Sequence, residues 1–418
     1  LIRIDDRLLA DAVAACSAML AFNQPADVAL SGFFKARRTG SRERAFIAEA
    51  AYAVIRHRRR LERLCGGDNP RRLLLAALVR FQGYSQRQLA AAVSAAEGSW
   101  LADLKGQAEP ELSLPERLDL PDWLVERLLA QYGEAELLAL AQGLNQPAPL
   151  DLRVNDLKSS RAEVLAQLAA EGIDAQPCPL SPLGIRLAGK PSLARHPLYL
   201  GGSIEVQDEG SQLLGLLLAP RRGEMVVDFC AGAGGKTLLL GALMRSSGRL
   251  YAFDVAEKRL AKLKPRVARA GLSNVHPVCI SGENDIRVKR LAGKIDRVLV
   301  DAPCSGLGTV RRNPDLKWRQ TPQSVAELTV KQAAILAGAA RLVKPGGRLV
   351  YATCSILSEE NEAVVDAFLA AHPDFVRLSA AELLGRQGVA VDCGDTLRLS
   401  PHRHGTDGFF AVAMERRA

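Results

Sequence analysis

The stretch that most constrains this chain is residues 226–236, VVDFCAGAGGK. An apolar run reaches Asp228, and a turn of small residues then opens a helix near Lys236. A doubly wound α/β domain presents a nucleotide-like cofactor in this way, at the carboxyl end of its first strand. Gly232, Gly234 and Gly235 let backbone N–H groups approach a ligand where a side chain would block it. Turns of this kind also join strands to helices in α/β proteins that bind nothing there. Two later stretches, Asp301-Ala302-Pro303-Cys304 and Ala352-Thr353-Cys354-Ser355, argue for the cofactor.

A chain of 418 residues is too long for one ordinary core, so two or three domains are expected. Residues 1–135 read as all helix, with Leu8, Leu9, Val13, Cys16 and Leu20 on one face and Phe46, Ala50, Ala53 and Val54 on another. After Pro110, Pro115 and Pro121, residues 123–140 read as one more amphipathic helix, which the prolines of 145–149 end. The pattern then changes. Residues 150–154 alternate like a strand, a helix follows Ser159 or Ser160 as cap, and 184–187 is strand-like. The expected organisation is a helical domain over 1–135, a small α+β subdomain with its linker over 136–203, and a Rossmann-like α/β domain over 204–418.

Within the last domain, strands are predicted at 226–228, 249–253, 275–280, 297–300 and 348–352, with 344–347 as a turn and 407–413 as a late strand. Asp254 closes the second strand, 22 positions after Gly232, placed to accept hydrogen bonds from two ribose hydroxyls; its other reading is a helix cap. Past the third strand, Glu283 and Asn284 are both candidates to reach an adenine amino group. Lys236 either touches a cofactor or simply begins the helix.

Parallel strands open on one edge, so the glycine turn, Asp254, Asp301, Cys304 and Cys354 are expected to converge. Two thiols and a carboxylate beside a cofactor suit methylation at carbon 5 of a pyrimidine. That carbon is too poor a nucleophile while the ring stays aromatic. A thiolate adding at carbon 6 makes an enamine that can attack the methyl sulfonium of S-adenosylmethionine. Asp301 can hold the ring nitrogen and the exocyclic amine as charge develops, and a second cysteine can assist expulsion of the first. Chemistry alone leaves open which sulfur attacks, because the Pro303-Cys304 pair has the form of the nucleophile in DNA cytosine-5 methyltransferases.

The eight cysteines are scattered, with no CxxC spacing and no neighbouring histidine pair, so no metal site is expected. They read as reduced thiols of a cytoplasmic protein, and no signal-type segment marks the chain for export. No apolar run approaches the roughly 20 residues of a membrane span. The net charge of +9 bunches in 35–38, 56–60, 71–72 and 311–312, and three of these runs lie early in the chain, as on a phosphate-tracking surface. A non-catalytic RNA-binding assembly factor would need neither thiol, nor Asp301, nor the glycine turn. A small-molecule methyltransferase would not need the basic helical region.

The segments DFCAGAGGKT from Asp228, DAPCSGLGTVRRNPDLKW from Asp301, YATCSILSEENE from Tyr351 and DGFF from Asp407 resemble the Sun/Fmu-type RNA cytosine-5 methyltransferases, in particular their bacterial small-subunit ribosomal RNA branch. The helical region resembles the NusB-like RNA-binding domain that precedes the catalytic domain there. The resemblance implies S-adenosylmethionine as cofactor, RNA as substrate, specifically small-subunit (16S) ribosomal RNA, Cys354 as nucleophile and Cys304 as the group assisting release. It implies that Cys230, Ala231, Gly232, Ala233, Gly234, Gly235, Lys236, Asp254 and Asp301 line the cofactor. The chain departs from the family at Gly232-Ala233, where Ala-Pro is usual; proline would stiffen the turn, and its absence predicts a looser one.

Overall fold

A computed structural model describes residues 2–108 and 110–417; Leu1, Glu109 and Ala418 fall outside the described residues. By compactness the chain forms two units, one of residues 1–146 with 309–322 and one of residues 147–308 with 323–418.

The first unit is helical. Two of its helices start where a side chain satisfies free backbone donors: Asp5 accepts from Leu8 N at the head of Asp6–Leu20, and Asn69 accepts from Arg71 N and Arg72 N at the head of Pro70–Arg80. Leu9, Ala12, Ile47, Val54, Leu74 and Leu78 fill its core with no exposed surface. The helix expected over 123–140 is two, Asp122–Tyr132 and Glu134–Asn145, because Gly133 adopts φ +73° between them. Much of the early positive charge serves the unit itself. Arg59 donates to Asp122 at 2.7 Å, Arg71 to Glu97 at 2.6 Å and Arg56 to Arg311 O at 3.1 Å, whereas Lys35, Arg38 and Arg42 stay exposed.

Residues 309–322, which the sequence assigned with the catalytic domain, belong to this helical unit. Asp315 accepts from Ala26 N at 3.2 Å, and Trp318 Nε1 donates to Ile55 O at 2.8 Å. Lys317, fully buried, donates to Arg56 O at 2.8 Å and to Asn145 Oδ1 at 3.0 Å. Burial lowers its pKa to about 7.

The second unit carries two sheets. The smaller is four-stranded and antiparallel, formed by Leu150–Val154, Ala175–Pro177, Gly184–Leu187 and Ile204–Val206; its helix, Arg161–Ala170, is capped by Ser160 with Glu163. The larger has eight strands: β1 Met225–Asp228, β2 Arg249–Asp254, β3 Val275–Cys279, β4 Ile295–Asp301, β5 Val343–Thr353, β6 Phe375–Arg377, β7 Thr396–Leu399 and β8 Phe409–Arg416. Their order is β6-β8-β5-β4-β1-β2-β3, with β7 on β8; β1 to β5 are parallel and β8 runs antiparallel to β5. Four helices matter below: α1 Glu209–Leu218, α2 Gly235–Leu243, α3 Glu257–Ala270 and α4 Pro322–Ala340.

Both faces of the parallel strands are covered, which is why they read as continuous apolar runs. Val227, Val298, Val300, Leu349 and Tyr351 face one core, and Val226, Leu299, Val350 and Ala352 the other. Residues 344–347, expected as a turn before β5, are taken up inside it as an irregularity: pairing with β4 passes from Ile295–Val343 to Arg297–Arg348, with Gly346 at φ +72°.

Candidate active site

Register brings the chemistry together. Asp228 stands opposite Leu299 and Asp301 opposite Ala352, so β1, β4 and β5 end nearly level. Cys304 and Cys354 lie just past the ends of adjacent strands, and their sulfurs are 3.4 Å apart. Backbone contacts fix both loops: Gly308 N donates to Cys354 O and Gly408 N to Gly308 O, each at 2.8 Å. A Cβ on Gly308 would lie 2.1 Å from Gly408 O, so close approach of backbones requires glycine there. The DGFF tail therefore acts as a brace for the cysteine loops.

Between these loops and the glycine turn lies an ion pair. Lys236 Nζ binds Asp301 Oδ2 at 2.7 Å, with both side chains largely buried. Burial alone would lower the lysine pKa; the Asp301 carboxylate, with smaller contributions from Cys354 and Asp228, raises it instead. Lys236 lies in the first turn of α2, so it both begins the helix and reaches Asp301.

The glycine turn is held from below. Gly232, at φ +57°, donates its N–H to Asp254 Oδ2 at 2.8 Å, and Asp254 Oδ1 accepts from Ala256 N at 2.7 Å. Asp254 is thus fixed at the end of β2, with further lone pairs on both oxygens. Gly234, at φ +88°, packs on Leu263 of α3, which a Cβ would strike at 2.1 Å. Ala231 N bonds Phe253 O at 2.8 Å, and Ala233 O accepts from Arg266 of α3, itself paired with Glu205. That anchor constrains the turn where the usual proline is missing. Cys230 lies at its start, its thiol pKa pushed up by burial and then by Asp228.

Arg341 holds the segment that carries Glu283 and Asn284. Arg341, just past α4, donates to Glu283 O at 3.0 Å and Asn284 Oδ1 at 2.9 Å, and Glu283 Cβ packs where Gly338 leaves room. The hydrogen bonds linking Gly232 with Asp254, and Lys236 with Asp301, do not extend to them. Asp285, beside them, binds Ser281 N at 2.8 Å and Arg287 at 2.7 Å.

Sequence reasoning missed the buried polar groups behind the site. Asp228 is 1% exposed and accepts from Thr237 Oγ1 at 2.7 Å. Burial raises its pKa to about 7, against the Thr237 hydrogen bond and helped by Asp301. Between pH about 4 and 7 the folded protein therefore keeps a proton that the unfolded chain has lost, so this group's stabilisation is full below about pH 4 and disappears as pH rises through 7. Asp228→Asn preserves an acceptor for Thr237 and is expected to remove that slope, on the order of 2 kcal/mol. Melting temperatures across pH 5–8 check it: parallel curves for the two proteins would show that Asp228 does not titrate in this window.

Glu360, Ser305, Ser355, Asn361 and Gln332 were also missed, although both cysteines are followed by serine and a polar run, 359–362, begins five positions after Cys354. That repetition was the available signal.

Residues 215–415 match the family described as 16S rRNA methyltransferase RsmB/F, and residues 120–194 match the RsmF/B-like ferredoxin-like domain. The probable ribosomal RNA small subunit methyltransferase B of Synechocystis sp. is 35% identical over 93% of this chain and 95% of its own length. The chain belongs to the ribosomal RNA small subunit methyltransferase B family. Ribosomal RNA small subunit methyltransferase B of Sodalis glossinidius is 38% identical over 75% of this chain and 70% of its own. Among solved structures, a methyltransferase homolog protein from Pyrococcus horikoshii superposes with TM-score 0.62 at 30% identity, over 73% of this chain and all of its own. NSun6 from the same organism, solved with SFG, shares the fold with TM-score 0.64 at 22% identity, over 71% of this chain and 98% of its own.

The cofactor of this methyltransferase is S-adenosylmethionine, and the residues present fit it. Among the described residues, none beyond the chain neighbours of Gly232 has an atom within 4 Å of the position a Cβ there would take, so a ligand can approach the backbone. The buried Asp228 Oδ1 also has no hydrogen-bond partner among the described residues.

Proposed function

We propose that this methyltransferase transfers a methyl group from S-adenosylmethionine to carbon 5 of a cytosine in small-subunit (16S) ribosomal RNA, through a covalent bond between Cys354 Sγ and carbon 6. The observation that carries this reading is the pair of sulfurs 3.4 Å apart beside the Lys236–Asp301 ion pair. Methylation of an exocyclic nitrogen needs no thiol, whereas carbon 5 needs one sulfur to enter and leave.

The environment supports a division of labour. The hydrogen bond with Cys354, then burial and the negative charge of its neighbours, raise the Cys304 pKa well above the ordinary thiol range. Cys304 is thereby kept as a thiol. Cys354 is the sulfur that interacts attractively with the Lys236 ammonium. Cys354 adds to carbon 6, and its electron pair forms the new bond while ring electrons move toward N3. Asp301 orients N3 and the exocyclic amine, and the Lys236–Asp301 pair holds a proton beside N3 as negative charge develops. When bound, the cofactor supplies the methyl group that carbon 5 accepts. Transfer of the carbon-5 proton to solvent water restores the carbon 5–carbon 6 double bond and returns the carbon–sulfur electrons to Cys354, whose departing anion the Cys304 S–H stabilises.

We assign the turn at 230–236, Asp254 and Asp301 to the cofactor, with Asp254 accepting from ribose hydroxyls. Glu283 and Asn284 are the weaker members of that set because Arg341 holds the Asn284 side chain and Asn284 Nδ2 donates to Glu283 Oε1. The helical unit supplies RNA contacts, for which exposed Lys35, Arg38 and Arg42 are the candidates.

Incubation of small-subunit ribosomal RNA with methyl-labelled S-adenosylmethionine and the protein, followed by nucleoside mass spectrometry, is expected to yield 5-methylcytidine. Label on N4 or on another base would overturn the position. RNA binding with no transfer would favour a non-catalytic assembly factor.

A further inference from the structure

Each cysteine of the site is followed by a serine, and both serines end on one carboxylate. Glu360 is 0% exposed. Its Oε1 accepts from Ser305 N at 2.7 Å and from Gln332 Nε2 at 3.0 Å, and its Oε2 from Ser305 Oγ at 2.5 Å and from Ser355 Oγ. The two serine oxygens are 3.2 Å apart. Gln332, on α4, also donates to Pro303 O at 3.0 Å, next to Cys304.

A buried carboxylate is costly unless its lone pairs are filled, and an apolar side chain would pack such a position at lower cost. Here four donors converge on it from three elements: the loop after β4, the loop after β5 and α4. Each loop donor adjoins a thiol. We propose that Glu360 is a positioning residue for the methyl-transfer reaction, tying the Cys304 and Cys354 loops to one buried anchor and so setting the spacing of the two sulfurs. The catalytic consequence rests on the carbon-5 reading; the anchoring does not.

The charge of Glu360 has a second effect. Among the influences that hold Cys304 as a thiol, after the hydrogen bond with Cys354, burial and the Cys354 charge, is the Glu360 carboxylate. The titratable groups facing Cys304 are Cys354, Glu360 and Tyr351 of β5.

Glu360→Gln tests both effects, because glutamine keeps the shape but replaces two acceptor lone-pair sets with one and adds an N–H₂ facing Ser305 and Gln332. Two measurements are made on the full-length protein: iodoacetamide alkylation of Cys304 and Cys354 against pH, resolved by peptide mass spectrometry, and kcat and KM on RNA. The expected result is a lower pH midpoint for Cys304 alkylation, with kcat down by about 100-fold and KM within about threefold. A folded Glu360→Gln protein with wild-type kcat and an unchanged Cys304 profile would overturn the proposal. So would a kcat loss that follows lowered thermal stability with no change in alkylation. Should Glu360→Gln not fold, Ser305→Ala and Ser355→Ala each remove one donor; wild-type kcat and profile in both overturns it equally. The alkylation arm needs no RNA. A shifted profile in a protein whose wild type makes no 5-methylcytidine would therefore sink the carbon-5 reading and leave the anchor standing.

Discussion

Cys354→Ala is expected to abolish methyl transfer, by on the order of 10⁴-fold or more, and to form no covalent complex with 5-fluorocytosine RNA. Cys304→Ala is expected to do the reverse to the adduct and accumulate it. Fluorine at carbon 5 cannot leave as a proton does, so a chain that attacks carbon 6 stays bonded to the analogue. Only the attacking sulfur is needed for that bond. With natural RNA, the Cys304 variant retains Cys354 and its Lys236 neighbour but loses the S–H that stabilises the departing anion, so the adduct outlives the methyl transfer. Denaturing gel electrophoresis with labelled RNA reads both outcomes. A Cys354→Ala protein that still traps 5-fluorocytosine RNA, paired with a Cys304→Ala protein that does not, would exchange the two roles. The sulfur separation of 3.4 Å allows that exchange in geometry, and it is the attraction between Cys354 and the Lys236 ammonium, with burial holding Cys304 as a thiol, that argues against it.

Deleting residues 1–135 is expected to leave a poorly soluble protein, and Trp318→Ala to destabilise the helical unit by about 2 to 4 kcal/mol. Both follow from the segment 309–322, which belongs to the helical unit although the chain enters it directly from the Cys304 loop. The deletion removes Ala26, Ile55 and Arg56, the partners of Asp315, Trp318 and Lys317. Buried Lys317 would then keep only Asn145 Oδ1 as an acceptor, the Trp318 indole N–H would lose Ile55 O, and apolar surface on Trp318 would meet water. Differential scanning calorimetry of Trp318→Ala should show the melting temperature lowered by roughly 5 to 12 °C. An unchanged transition, or a soluble truncated protein of full activity, would show that this packing contributes little. Loss of activity on truncation thus does not by itself demonstrate RNA docking. Charge reversal at Lys35 and Arg38 tests docking without disturbing the core, since both are exposed.

Local patterns in the sequence were enough to place β1 to β5 along the chain, the glycine turn at 230–236 and the shared edge of Asp254, Asp301, Cys304 and Cys354. These follow from local patterns: apolar runs of strand length, acidic and small residues at strand ends, and the rule that parallel strands open on one edge. Only the tertiary structure decided what depends on partners distant in sequence. It engaged Lys236 with Asp301, spent Arg56, Arg59 and Arg71 on the unit that carries them, and set Arg341 against Glu283 and Asn284. It buried Glu360 but left Glu359 and Glu362 partly exposed, although all three stand in one polar run. No periodicity separates those three carboxylates. What distinguishes Glu360 is that four donors from three elements meet it in a dry interior; the repeated Cys-Ser pair marks two of the residues involved, but the order of neighbouring residues does not pick out the carboxylate they meet.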